Sequence, residues 1–284
     1  MKDNPLVSII TPSYNQERFI EDTILSVKNQ DYPNIEHIIV DGGSTDNTLE
    51  ILKTYEGTYN MRWISESDEG QSDAINKGFR MAKGEIIAEL DSDDGYFDIS
   101  SISSVAKYFD EYVNVDIIYG DAVRIDENNL ILYILKVRKF DYNYLRKSCF
   151  LEQPAVLFRR KVIDNFELDV SLEIAMDYDF WLRIAKKHKF QHVNRIIAVD
   201  RTHKKRKTVD RRDEMIKESV CVSKEYCNWS LLDRLLSVVL YPVGSIYRFV
   251  EVWKLYHSNY NFAFDMKLSN IISAMIRQVK PWEK

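Results

Sequence analysis

The most constraining feature of this sequence is a buried strand that ends in a cluster of acids. Residues 85–90 form a short, mostly apolar run that suits a strand of a parallel sheet. Asp91, Asp93 and Asp94 follow immediately. Carboxylates this close together repel one another unless a cation or water lies among them. The stretch therefore predicts either an acidic turn that ends the strand or a site for a hard divalent cation.

The spacing of these acids favours Mn2+ or Mg2+ over Ca2+. An EF-hand loop needs the pattern Asp-x-Asp-x-Asp-Gly, whereas Asp94 and Gly95 each come one position early. Mg2+ usually keeps several waters and takes one or two carboxylates together with substrate phosphates. We therefore expect Mn2+ or Mg2+ as the cofactor and a nucleotide diphosphate as the ligand.

The composition fits one large globular domain and gives no general affinity for nucleic acid. The 284 residues are 45% hydrophobic and 29% charged, with a net charge of -5. The three cysteines are far apart and lack partners at zinc-binding spacing, which fits reduced thiols. Because the amino terminus lacks the apolar run of a signal peptide, we expect a cytoplasmic protein. The absence of Gly-x-Gly-x-x-Gly and P-loop motifs disfavours dinucleotide-dependent enzymes and P-loop kinases.

Ahead of the acidic stretch, strands and helices alternate. The predicted strands cover residues 6–10, 35–40 and 61–64, and the predicted helices start near residue 17 and cover 47–55 and 74–82. The last helix is expected to stop at Gly84 as its C′ residue. This alternation predicts an α/β fold on a mainly parallel sheet flanked by helices. Ligands collect at the carboxyl ends of such strands, where four polar residues fall: Thr11, Asp41, Asp68 and Asp91.

The second half of the chain has a less regular pattern. It predicts a helix over 98–109, a strand over 115–119 and a hairpin of 123–126 with 130–135. A further acid-rich stretch, 173–183, has helical spacing. There Asp179 lies four positions before Arg183, so we expect the two side chains to form an ion pair.

Three segments together resemble the family 2 glycosyltransferases of GT-A fold. They are Val7–Asn15, Ile39–Thr48 and Leu90–Asp94. The resemblance is strong over roughly the first hundred residues and looser up to His203. It implies a GT-A-like enzyme that moves a sugar from a nucleotide-diphosphate-sugar, with a UDP-sugar favoured, to an acceptor hydroxyl with inversion. It also implies that the segment 152–158 lines an acceptor cleft.

The resemblance assigns the donor site to the strand ends of the first half. It implies seven donor-binding residues, which are Thr11, Pro12, Tyr14, Asp41, Asp68, Asp91 and Ser92. Asp41 is implied to accept a hydrogen bond from a base N–H, which gives a selectivity that an apolar pocket lacks. Many relatives carry an Arg where this chain has Ile75. Lys77 is the nearest cation, and we favour its interpretation as a solvated helix residue.

The resemblance also assigns a metal site and a base. Asp93 and His203 are implied to bind the Mn2+ or Mg2+ that bridges the donor phosphates. Asp177 is implied to remove a proton from the acceptor hydroxyl, and helical spacing places it on one face with Phe180 and Trp181. The alternative for Asp177 is a helix cap.

The carboxyl-terminal third begins with a basic run and then becomes apolar. Residues 204–207 with Arg211 and Arg212 place six cations against Asp210. Three interpretations of this basic loop are open. It is a solvated surface, it closes over the donor phosphates, or it binds anionic lipid. The apolar stretch after residue 228 is interrupted by Pro242 and is too short to span a membrane. We expect a helical extension that lies on a membrane surface or contacts a second copy of the chain.

These observations predict one α/β domain in two halves with an extension. Residues 1–110 would bind the nucleotide-sugar, residues 111–227 the acceptor, and residues 228–284 form the helical extension. The resemblance implies an acceptor that is a glycan or a lipid-linked oligosaccharide, for a capsular polysaccharide, exopolysaccharide or O-antigen at the inner face of a bacterial membrane. Two rivals are a non-catalytic nucleotide-sugar binder and a metal-dependent nucleotidyltransferase. The second needs a Gly-rich basic loop after the first strand, which residues 11–16 do not supply.

Overall fold

The computed structural model describes residues 4–227 and the two-residue strand Lys267–Leu268. The strands are β1 (Val7–Ser13), β2 (Ile35–Asp41), β3 (Met61–Ser65), β4 (Ile86–Glu89), β5 (Gly95–Tyr96), β6 (Ile117–Ile125), β7 (Leu130–Leu135), β8 (Val156–Arg159), β9 (Phe190–Arg201) and β10 (Lys267–Leu268). The helices are α1 (Ile20–Lys28), α2 (Thr48–Tyr55), α3 (Gln71–Met81), α4 (Ser101–Glu111), α5 (Tyr142–Leu145), α6 (Met176–Ile184), α7 (Lys207–Asp210) and α8 (Arg212–Tyr226). Apart from β10, the predicted helical extension lies outside the described residues.

All ten strands belong to one sheet, in which parallel and antiparallel pairs are combined. Its order is β10-β7-β6-β8-β4-β1-β2-β3, and β9 pairs with β5 and β6. The strands β3, β2, β1 and β4 are parallel, as the alternating pattern predicts. From β4 onward the sheet is mixed, because β8 runs antiparallel to both β4 and β6. The predicted α/β class is confirmed, and the donor-half strands all end at one edge.

The central strands are buried on both faces, which explains their continuous apolar runs. Ile10 packs into the core that holds residues of α3 and α6, whereas its neighbour Ile9 packs into the core that holds residues of α4. Both side chains are fully buried. Helices therefore cover each face of the sheet, and the strand ends are left for the site. Within residues 4–227, no helix combines the length and apolar content that a membrane-spanning segment needs.

Several predicted boundaries differ from the structure. The strand predicted over 6–10 continues to Ser13, and the two strands predicted on either side of Gly120 are one strand, β6. Helix α3 ends at Met81, and its capping residue Ala82 is already extended. Gly84 is therefore not a C′ residue. A Cβ there would lie 2.6 Å from the backbone nitrogen of Ser8, so this glycine permits close approach to β1.

Candidate active site

A cavity of about 770 Å³ lies at the carboxyl ends of the parallel strands. Of the ten residues predicted for the site, eight line this cavity: Pro12, Tyr14, Asp68, Asp91, Ser92, Asp93, Asp177 and His203. Residues separated by more than a hundred positions therefore share one wall.

The loop Asp91–Asp94, called the acid loop below, joins β4 to β5 and is tightly hydrogen-bonded. The Asp94 N–H donates to the Asp91 carbonyl at 3.0 Å. Gln71 donates from Nε2 to Asp91 Oδ1 at 2.8 Å, so the first turn of α3 fixes this carboxylate. Asp93 Oδ2 lies 2.8 Å from Nε2 of His203. The structure thus brings together the two residues predicted as metal ligands.

Burial shifts the proton affinities of the acid loop strongly. It raises the pKa of Asp91 to about 7, with the charge of Asp93 adding to the effect. It also raises the pKa of Asp94 well above its usual value. For Asp93 the effect of burial is outweighed by the hydrogen bond with His203 and the charge of Arg206, which hold its pKa below the usual value. Ionising all three carboxylates here is costly unless a cation joins them.

The acid loop fits a hard divalent cation. Carboxylate oxygens of Asp91, Asp93 and Asp94 lie within 4.8 Å of one another. Asp94 Oδ2 is buried and has no hydrogen-bond partner among the described residues. Carboxylate oxygens are the ligands that Mn2+ and Mg2+ prefer. His203 Nε2 is the atom that faces this cluster.

A buried arginine that sequence reasoning missed holds the acid loop in place. The Arg201 side chain is fully buried and donates from Nε to the Asp93 carbonyl at 2.7 Å. Its Nη2 donates to Asp22 Oδ2 of α1 at 2.9 Å. The guanidinium also lies over the Phe19 ring, which packs 4.6 Å from the His203 ring, centroid to centroid. One side chain therefore links α1, the acid loop and the surroundings of His203.

The predicted base, Asp177, lies in the first turn of α6. The Tyr178 N–H donates to Asp177 Oδ1 at 2.6 Å, which leaves Oδ2 for other partners. Burial raises the pKa of Asp177 to about 6, and the nearby charge of Glu152 also raises it, although the Tyr178 N–H opposes both. A carboxylate with this pKa, on a cavity wall, is suited to accept a proton near neutral pH.

The segment before Asp177 is held by α8, which no local pattern predicted. The Glu218 carboxylate accepts hydrogen bonds from three backbone N–H groups, those of Glu173 at 3.0 Å, Ile174 at 2.7 Å and Ala175 at 2.5 Å. Those N–H groups precede the start of α6, so a carboxylate also complements the positive end of that helix. Glu218 thereby fixes the start of the helix that carries Asp177.

Two predicted donor residues lie outside the cavity wall. Thr11 is buried because β1 continues past it, and its hydroxyl forms a hydrogen bond with Nε2 of His37 at 2.9 Å. Asp41 is also fully buried. Its Oδ2 accepts the Ser44 N–H at 2.8 Å and the Ser65 hydroxyl at 2.7 Å. The Asp41 carboxylate therefore organises the loop after β2 in this structure, and its contact with a base remains a prediction.

Asp179 and Lys77, two residues discussed from the sequence, both form ion pairs in the structure. Asp179 accepts from Arg183 at 2.7 Å, which confirms that predicted ion pair. Lys77 is paired with Glu66 at 2.9 Å and Asp73 at 3.1 Å and does not line the cavity. Lys77 is thus an ion-paired surface residue of α3 rather than a residue of the cavity wall.

The cavity holds a buried acid and part of the basic run. Glu89, the last residue of β4, lines the cavity, and burial together with the charges of Asp91 and Asp177 raises its pKa well above the usual value. Sequence reasoning missed Glu89 because it lies within an apolar run. In the basic run, Lys205, Arg206 and Lys207 line the cavity.

Sequence comparisons with known proteins agree on one family. Residues 8–166 match the model of Glycosyl transferase family 2. An uncharacterized glycosyltransferase of Methanocaldococcus jannaschii is 30% identical over 205 residues, 69% of this chain and 70% of the relative. The Escherichia coli protein UDP-Glc:alpha-D-GlcNAc-diphosphoundecaprenol beta-1,3-glucosyltransferase WfgD is 31% identical over 193 residues, 68% of this chain and 74% of the relative. The Escherichia coli chondroitin synthase is 29% identical over 198 residues, 69% of this chain but only 29% of that longer protein.

Solved structures show the same fold. The structure of S. aureus TarS in complex with UDP-GlcNAc has a TM-score of 0.58 and 19% identity, covering 70% of this chain and 59% of that chain. The mannosyltransferase PcManGT from Pyrobaculum calidifontis, in complex with GDP-Man and Mn2+, has a TM-score of 0.57 and 17% identity, covering 99% of this chain and 89% of that chain. The likeness to TarS confirms the GT-A-like architecture expected from the sequence.

Proposed function

This chain belongs to glycosyl transferase family 2, and from that membership we propose that it moves a sugar from a nucleotide-diphosphate-sugar to an acceptor hydroxyl with inversion. The observation that carries the proposal is the position of Asp177 and the acid loop on the wall of one cavity. A base and a diphosphate site in one cavity are the two parts that a single in-line displacement requires.

Asp177 is the proposed base. Its carboxylate accepts the proton of the acceptor hydroxyl as the hydroxyl oxygen bonds to the anomeric carbon. The bond from that carbon to the diphosphate oxygen breaks in the same step, and the nucleoside diphosphate leaves with the electron pair. Because the reaction is a single displacement, the anomeric carbon is inverted and no covalent bond forms between the sugar and the enzyme. A pKa of about 6 leaves Asp177 ionised at neutral pH yet close enough in basicity to transfer a proton.

The residues that would hold Mn2+ or Mg2+ are Asp93 and His203, with Asp91 and Asp94 beside them. When bound, the ion neutralises the departing diphosphate as a Lewis acid. Arg201 fixes the backbone of the acid loop through the Asp93 carbonyl, so the carboxylates are oriented before any substrate arrives.

The donor half, residues 1–110, is proposed to bind the nucleotide, and residues 111–227 the acceptor. Tyr14 and Asp68 line the cavity, and Tyr14 is 60% exposed, so its ring is available to a base. We favour a UDP-sugar donor. The names of the relatives support an acceptor that is a growing glycan or a lipid-linked sugar. The proposed role is the synthesis of a surface polysaccharide, and the proposed place is the inner face of the cell membrane.

The first experiment incubates the purified protein with Mn2+ and a panel of UDP-, GDP- and dTDP-sugars without acceptor. Slow release of one nucleoside diphosphate is expected, because water replaces the acceptor hydroxyl at a low rate. Asp93→Ala is expected to abolish the release. Binding of a donor without turnover, in the presence of glycan acceptors as well, would instead indicate a nucleotide-sugar binder. If no donor binds, the proposed donor site is wrong.

A further inference from the structure

Two arginines on the cavity wall are fixed by a single buried aspartate. Asp200 is 1% exposed. Its Oδ2 accepts from Nη2 of Arg124 at 2.7 Å, and its Oδ1 accepts from Nη1 of Arg206. Arg206 also donates to the carbonyl of Arg201 at 2.5 Å. One carboxylate balances only one guanidinium, and the charge of Arg206 also acts on Asp93 and Glu152.

The sheet itself determines the position of this pair. Arg124 lies on β6 directly opposite Asp200 on β9, in the parallel ladder that joins the two strands. The Arg124 side chain is only 19% exposed and that of Arg206 18%. Both arginines line the cavity and keep part of their side chains exposed, so their remaining guanidinium donors can meet a ligand with several oxygens.

The neighbouring acid does not supply those oxygens. Glu152 lines the same cavity, but no ion pair joins it to either arginine in the described part of the chain. Burial raises the pKa of Glu152, and the charges of Arg124 and Arg206 lower it in part. The charge of Glu152 also acts on Asp177. The arginine pair, Glu152 and the base therefore lie in one neighbourhood, on the acceptor half of the cavity.

We propose that Arg124 and Arg206, oriented by Asp200, form a subsite for an anionic group of the acceptor. The inference rests on the proposed function, because Asp177 defines which side the acceptor occupies. Arginine presents a planar fork of donors that matches the paired oxygens of a carboxylate or phosphate. Two sources of such oxygens fit: the carboxylate of a uronic acid residue, and the diphosphate of a lipid-linked sugar. The acceptor class is thus an acidic or diphosphate-linked glycan.

The test uses the full chain with Mn2+ and saturating UDP, so that the donor site is filled. Calorimetry compares methyl β-D-glucuronide with methyl β-D-glucoside, and geranyl diphosphate with geraniol. At least one anionic probe is expected to bind roughly 10-fold more tightly than its neutral counterpart. The glucuronide pair reports a carboxylate source and the geranyl pair a diphosphate source.

Arg124 is the residue to change, because Arg206 also acts on the acid loop. Arg124→Gln is expected to abolish the preference for the anionic probe, and Arg124→Lys, which keeps the charge but not the fork, to retain part of it. Arg80→Gln is the matched control, since Arg80 pairs with Glu167 at the surface and does not line the cavity. Thermal unfolding checks that each variant is folded.

Three results would overturn the subsite. They are the absence of any anionic preference in the wild type, a preference that survives Arg124→Gln, and a 10-fold loss of UDP affinity in Arg124→Gln, which would assign the pair to the donor diphosphate. Failure of the proposed function is distinguishable, because it would appear as no binding of UDP to the wild-type protein. The comparison between charged and neutral probes can still be made in that case.

Discussion

The two halves of the cavity are held by different kinds of contact. In the donor half, the Asp41 carboxylate accepts the N–H groups of residues two and three positions ahead, Gly43 and Ser44. In the acceptor half, the segment before Asp177 is held by Glu218, 43 positions beyond Ala175. The loop after β2 is therefore held in part by contacts between near neighbours, whereas the start of α6 is held by a side chain from a distant element.

This difference implies that the two halves can be impaired separately. Changes around Asp177 are expected to lower turnover while donor affinity is kept, because they leave the acid loop and its anchor Arg201 intact. If the two halves were not separable, changes around Asp177 would also weaken the binding of the donor.

Replacing the base should have the largest effect. Asp177→Asn keeps the size of the side chain but removes the proton acceptor, so kcat should fall about 10²- to 10⁴-fold. The Kd for UDP with Mn2+, measured by calorimetry, should stay within about 2-fold of the wild type, since Asp177 is proposed to contact the acceptor rather than the donor. An unchanged kcat would show that another group removes the proton.

The rate should depend on pH through the same carboxylate. Asp177 acts as a base only when ionised, and its pKa is raised to about 6. With donor and Mn2+ saturating, kcat should therefore fall about tenfold per unit as the pH drops below 6 and level off above it. The residual rate of Asp177→Asn should not show this fall below pH 6. A rate that instead falls as the pH rises through this range would indicate a catalytic acid.

Weakening the long-range support of the base should have a smaller effect. Glu218→Gln keeps one carbonyl acceptor but loses the negative charge at the start of α6, which should lower the free energy of unfolding by about 1 kcal/mol. It should reduce kcat several-fold with the Kd for UDP unchanged. Glu214→Gln on the same helix is the control, because its partner Arg211 lies at the surface. Equal effects of the two variants would show that Glu218 does not support the position of Asp177.

A change outside the cavity should have the smallest effect. Lys77 forms ion pairs with Glu66 and Asp73 on the surface of α3. Lys77→Gln should alter the free energy of unfolding by less than about 1 kcal/mol and leave the Kd for UDP unchanged. A marked loss of UDP affinity would mean that Lys77 turns toward the donor phosphates when the nucleotide binds.

Sequence reasoning was most successful where a residue's environment depends on its own element. The ion pair of Asp179 with Arg183 follows from helical spacing alone, and the structure confirms it. The proximity of Asp93 and His203, 110 positions apart, was predicted only through the resemblance to a family. The fold class followed from the alternation of strands and helices.

Predictions failed where tertiary contact overrides the local pattern. Gly84 looked like the end of α3, but its position is set by the close approach of β1. Thr11 looked like a loop residue, but pairing with β2 extends β1 beyond it. The partners of Arg201, Asp22 and the Asp93 carbonyl, lie 179 and 108 positions away, so no window of sequence contains them.

The proposed reaction is a single displacement at the anomeric carbon with Asp177 as base. The most direct test follows hydrolysis of a UDP-α-sugar by proton NMR from the first minutes, with water in place of the acceptor. We predict that the β-anomer of the free sugar appears first and that Asp177→Asn slows its formation. Initial release of the α-anomer would contradict the single displacement, because retention requires a second displacement.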